Sequence, residues 1–162
     1  MIVVSDTSPI SALIRCDQLH LLQKLYDKIL IPKKVFEELQ YLVHYNISID
    51  ILTQSKWIKI KEVSSSFLVE KYNNEVEEGE AEALVLATEY KADLILADVL
   101  AARTLAIHLG FKTKGLLGIF LEAESKGFIE NSQLIQELIA SKIVWISNKV
   151  YEQYLTSLKK IK

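Results

Sequence analysis

Two short apolar runs in this sequence end on aspartate. Ile2-Val3-Val4 leads through Ser5 to Asp6, with Thr7, Ser8 and Pro9 close behind, and Leu94-Ile95-Leu96-Ala97 leads to Asp98. Aspartate before a helix is often only a cap, and proline favours a first helical turn. At the carboxyl end of a buried parallel strand, however, aspartate stands where open α/β sheets place their ligands. Two further stretches carry glutamates that are hard to read as plain surface. Glu38 precedes Leu39 and follows Val35 by three residues, so it flanks an apolar stripe, whereas Glu37 points about 100° away. Glu82 lies in a helical stretch that turns apolar immediately after it, and Glu80 sits two residues earlier, beside Gly79.

Each of these has a bland alternative. Asp98 can cap the following helix, Glu38 can be an ordinary surface residue, and Glu80 and Glu82 can favour the positive end of a helix. Taken together, two strand-end aspartates and two helix-borne glutamates converging on one sheet edge would repel one another without a cation. Carboxylate oxygens are hard ligands, so the set suits Mg²⁺ or Mn²⁺. Zinc is disfavoured: Cys16, His20, His44 and His108 have no zinc-ligand spacing. No P-loop, dinucleotide-binding glycine motif or serine-hydrolase elbow is present.

The elements that must position these groups alternate. Strands are expected at 2–5, 28–32, 57–63, 93–98 and around 111–115. Helices are expected at 8–15, 18–26, 33–43, 64–74, 78–90, 99–109, 116–126, 131–141 and 147–160, with Gly110 and Ser147 as caps. Helix 78–90 reads as having one buried face of Ala81, Leu84, Val85 and Thr88. Residues 44–56 read either as irregular or as a short helix. Alternating strands and helices mean βαβ units, hence an α/β fold with a parallel sheet and helices on both faces. Strands 2–5 and 93–97 are the most apolar and are expected at its centre.

Composition sets limits on function. The 162 residues fit one domain, with about 1–130 as core and 131–162 as C-terminal helices. A net charge of −2 argues against coating nucleic acid non-specifically but permits a local grip. Residues 75–82 carry five glutamates in eight positions, while the tail SLKKIK is basic. The single cysteine, with no basic leader and no long apolar run, leads to the expectation of a cytoplasmic protein without a membrane span.

The motifs VVSDTSPI, IPKKVFEEL, GEAEALVLA and LILADVLAAR, in this order, resemble a PIN domain of the VapC-like toxin ribonuclease subgroup. GLLGIFLEAESKGFI and WISNKVYEQYL resemble the C-terminal half of that subgroup, so the likeness spans nearly the whole chain and is thinnest at 44–56. The resemblance implies a PIN-like fold and an Mg²⁺- or Mn²⁺-dependent endoribonuclease. Asp6, Glu38, Glu82 and Asp98 then match the acidic positions, with Asp6, Asp98 and Glu82 toward the metal and Glu80 as helper or substitute for Glu82. Arg103 and Ser8 would contact substrate. The resemblance also implies an RNA substrate, a small antitoxin partner and a homodimer; apolar helices 8–26 and 116–124 suit either contact, or the core. One departure is notable: Val99 and Leu100 follow Asp98 where many relatives carry another acid. That departure points to a single-ion enzyme, a weak second site, or a PIN-like binding module that has lost catalysis. A third reading is a receiver-like phosphoryl-transfer domain, which would need a lysine such as Lys112 or Lys114.

Overall fold

The computed structural model describes residues 1–129, 132–142 and 146–161. Five parallel strands form one sheet: β1 (Val3–Ser5), β2 (Ile29–Pro32), β3 (Ile58–Lys61), β4 (Leu94–Leu96) and β5 (Lys112–Lys114). Their spatial order is β3-β2-β1-β4-β5, so β1 is central and β4 adjoins it, as the apolar pattern predicts.

Alternation along the strands explains why helices must cover both faces. Val3, Ile29, Ile31, Leu94 and Leu96 join one core; Val4, Leu30 and Ile95 join the other. The first core is closed by α1 (Thr7–Arg15), α2 (His20–Tyr26), α3 (Lys33–Leu39) and α8 (Leu116–Ser125), through Ile10, Leu13, Leu22, Leu39 and Phe120. The second is closed by α5 (Ser66–Tyr72), α6 (Glu78–Tyr90) and α7 (Leu100–His108). The direction in which strands are added reverses between β1 and β4, although all strands run parallel. The crossovers from β1 to β3 therefore lie on one face and those from β3 to β5 on the other, and a crevice opens at the carboxyl ends of β1 and β4.

Three elements depart from the expected pattern. The helix expected at 33–43 leaves α geometry at Leu39 and tightens into a 3-10 turn, Gln40–Tyr45, stopped by Asn46 in the left-handed region. Residues 44–56 thus divide between the end of that turn and a short α4 (Asp50–Gln54). Helix α6 buries Gly79, Ala81 and Ala83–Ala87, nearly its whole circumference, while Thr88 is exposed. Its small alanines let it lie flat between sheet and neighbouring helices, so a one-face reading underestimates its contacts. In the C-terminal region α9 (Ser132–Ala140) and α10 (Asn148–Ile161) follow, and Val150 donates to the Ser147 hydroxyl at 3.3 Å, the expected cap. The first position of the helix expected at 131–141 lies outside the described residues.

Candidate metal centre and its groove

Asp6 follows β1 directly, and its N–H donates to Leu96 O of β4 at 3.1 Å. The sheet ladder therefore fixes its backbone at the switch point between the two central strands. It occupies the N-cap position of α1 but makes no side-chain cap bond. It is 2% exposed, and neither carboxylate oxygen has a hydrogen-bond partner among the described residues. Burial pushes its pKa well above the usual carboxylate range. The charges of Asp98, Glu80 and Glu38 push the same way, and the Ser8 amide offsets part of the rise. A buried carboxylate left in this condition costs free energy unless protonated or met by a cation.

Asp98 lies two residues beyond β4, on the same sheet edge. It caps not the helix that follows it but α8: its Oδ1 accepts the Leu116 N–H at 2.7 Å. Burial raises its pKa; the Leu116 N–H and the nearby Arg103 guanidinium lower it. Gly115 makes this approach possible, since a Cβ there would stand 2.8 Å from Asp98 Oδ1.

Glu38 reaches the edge from α3 and accepts a hydrogen bond from the Thr7 hydroxyl. It packs over Gly79, where a Cβ would fall 2.3 Å from Glu38 Oε2. The two acidic residues of α6 take different tasks. Glu80 raises the pKa of Asp6, and also closes a capping box by accepting the Glu77 N–H at 3.1 Å. Its own pKa is raised, first by burial. Glu82 instead accepts the Lys34 N–H at 3.2 Å, at the start of α3. Of the pair, then, the structure brings Glu80 toward Asp6 and sets Glu82 to holding α3. Residues two apart on a helix point about 200° from each other, so one edge cannot receive both.

Beside Asp98 opens a groove of about 1000 Å³. The two expected substrate contacts, Arg103 and Ser8, both line it, with Arg15, Tyr41 and Lys114. Thr7 is a site residue to which no role is assigned from sequence, although its hydroxyl beside Asp6 is a visible signal. Arg15 and Tyr41 carry no such signal. Lys114, the lysine a phosphoryl-transfer reading would need, is held by Glu122, which also receives the Tyr26 hydroxyl at 2.7 Å; Lys112 is exposed.

The donors suit a hard divalent cation: all are carboxylates, and the most buried has both oxygens unpaired. Among the described residues no group of three or more Asp, Glu, His or Cys is close enough to hold an ion as the side chains stand. Mg²⁺ keeps several waters and is often bound through one or two carboxylates, so the set fits in that form without a full cage.

Residues 2–160 match the family model DUF3368, described as a PIN domain. The chain belongs to the PIN-domain family. PIN domains are in general divalent-metal-dependent nucleases, with nucleic acid as substrate. The PIN fold is matched by the solved structure of a PilT N-terminus domain protein, SSO1118, from the hyperthermophilic archaeon Sulfolobus solfataricus P2. The TM-score is 0.58 at 20% identity, covering 76% of this PIN chain and 93% of the other. A comparison with curated proteins finds no match. Among the described residues of this PIN domain no helix is long and apolar enough to cross a membrane.

Proposed function

We propose that this PIN domain is an Mg²⁺- or Mn²⁺-dependent endoribonuclease of the VapC-like kind, the toxin of a toxin–antitoxin pair acting in the cytoplasm as one domain over 1–162. The observation that carries the nuclease reading is Asp6: a carboxylate buried at the switch point, with both oxygens unpaired and three other carboxylates acting on it.

Asp6 and Asp98 would hold the cation, with Glu80 rather than Glu82 completing the acidic set and Glu38 flanking it. A divalent cation there offsets the charge that develops on a phosphodiester under attack and makes water more acidic. Thr7 keeps Glu38 oriented through its hydroxyl, which leaves the second Glu38 oxygen able to align a water molecule. Arg103, beside Asp98 in the groove, balances a phosphate oxygen, and Ser8 offers a hydroxyl to the same strand. Glu82 acts indirectly, by fixing the start of the helix that carries Glu38.

The toxin assignment rests on the motif order and the C-terminal resemblance. The antitoxin and homodimer rest on that resemblance alone. The apolar residues of 8–26 and 116–124 go largely into the core, with Ile10, Leu13, Leu21, Leu22, Ile119 and Phe120 each 0% exposed.

Incubation with single-stranded RNA tests the reading. Cleavage is expected with Mn²⁺ or Mg²⁺, none with chelator, and none for Asp6→Asn. Full Mn²⁺-dependent activity in Asp6→Asn overturns it. A second reading, a PIN-like binding module without catalysis, is favoured by the apolar Val99 and Leu100, 42% and 79% exposed, after Asp98. Calorimetry with Mn²⁺ separates the two, since a degenerate site gives no saturable heat.

A further inference from the structure

One wall of the groove, where the end of α1 meets the 3-10 turn, has no task in the chemistry above. Arg15, in the last turn of α1, lays its guanidinium over the rings of both Tyr41 and Tyr45, 5.9 Å from each centroid. The rings meet edge to face at 6.2 Å. The Tyr41 hydroxyl lies 3.0 Å from Ser11 Oγ and accepts an Arg15 N–H at 3.4 Å. This arrangement fixes ring and cation while leaving the aromatic surface open: Tyr41 is 40% exposed and Tyr45 66%. Arg15 makes no ion pair with a carboxylate among the described residues, and its Nε is buried without a partner there. Within the described residues its charge thus meets ring faces and a hydroxyl, and no carboxylate balances it.

Arg15 and Tyr41 line the same groove as Asp98. The basic side chains there are Arg15, Arg103 and Lys114; Lys114 is paired with Glu122, which leaves the two arginines against the carboxylate of Asp98. Open aromatic faces beside an available guanidinium, along a basic groove, are the composition that holds single-stranded nucleic acid: bases stack on the rings, and phosphates meet the cation.

We infer that Arg15, Tyr41 and Tyr45 form a docking platform for single-stranded nucleic acid, holding nucleotides of the strand that continues along the groove to the acidic edge. The direction of that strand rests on the nuclease reading; the platform's binding chemistry does not.

Fluorescence anisotropy with a short labelled single-stranded RNA of mixed sequence, in chelator and again in Mg²⁺, tests it. The double variant Tyr41→Ala/Tyr45→Ala is expected to weaken binding at least about tenfold. Tyr41→Phe/Tyr45→Phe keeps the ring faces and is expected within about twofold. Arg15→Ala is expected to weaken binding and to lower the slope of log affinity against log salt by about one. Unchanged affinity in the folded double-alanine variant, checked by circular dichroism, overturns the inference. So does failure of the unaltered chain to bind single-stranded RNA in both conditions. Cleavage is read separately on the same samples. If the platform variants bind normally while Asp6→Asn still abolishes cleavage, only the platform falls. If they lose binding while Asp6→Asn cleaves normally, the platform stands and only the nuclease reading falls.

Discussion

The carboxyl ends of β1 and β4 are built from the same pattern, an apolar strand running into aspartate, yet they hold their carboxylates differently. Asp98 is tied to the Leu116 N–H, with Arg103 near it. Asp6 has no such tie and faces three other carboxylates. Asp98 therefore serves the fold as well as the site, because it closes the start of α8. Asp6 serves the fold poorly: the Ser8 amide of α1 favours its charge without closing a cap bond, and the side chain is buried at a cost. On the proposed reading, a cation bound at Asp6 would offset the cost of that burial.

The largest expected effect breaks this pair apart. Asp6→Asn should lower Mn²⁺-dependent RNA cleavage by a factor of roughly 10² or more. In chelator near pH 8 it should also raise the melting temperature by a few degrees, on the order of 1–2 kcal/mol, since a buried, repelled charge is removed. Asp98→Asn should lose activity comparably but lose stability too, by about 1 kcal/mol, because the charge-assisted bond to Leu116 weakens. Thermal melts beside cleavage assays check both. If both variants are destabilised alike, the contrast between the two strand ends is wrong.

Next comes pH. Asp6, Asp98 and Glu80 all have folded-state pKa values raised above their ordinary ones. Between the ordinary value, 3.8 for aspartate, and the raised one, the native state binds more protons than the unfolded chain. Their contribution to stability is therefore full below the ordinary value and is lost as pH rises through the raised one. In chelator, melting temperature should fall by several degrees over that window; Mg²⁺ or Mn²⁺ should flatten the fall at its upper end. A pH profile identical with and without the ion contradicts this.

Much of this architecture is legible in the letters, and its limits have physical causes. Apolar runs bounded by turn residues mark β1, β2 and β4, because buried parallel strands need continuous apolar sequence. Strand-end aspartates are equally visible. The choice between Glu80 and Glu82 is not, since both lie in one helix and only the position of α3 decides which faces Asp6. The capping-box spacing of Glu77 and Glu80 marks where α6 starts, but says nothing of what lies opposite. Arg15 and Tyr41 are 26 residues apart and meet only because α3 tightens into a 3-10 turn, a change of geometry without a strong local signal.

That limit supplies a smaller test. Glu80→Gln should weaken Mn²⁺ binding about tenfold or more by calorimetry, as loss of a supporting carboxylate commonly does. Glu82→Gln should change ion affinity less than about threefold and act on stability through the start of α3. The reverse order would restore Glu82 to the site. Smallest is Gly79→Ala. Its methyl would press on Glu38, and a flexible side chain can yield, so a few-fold loss of cleavage with a melting temperature within about 3 °C is expected.

The bond from Asp6 N–H to Leu96 O is part of the last pair of the two central strands, Ser5 with Leu96. A bare, repelled tip is thus mounted on a clamped root. Losing that bond would also undo the last pair of the central strands, so the place of the carboxylate and the edge of the sheet stand or fall together.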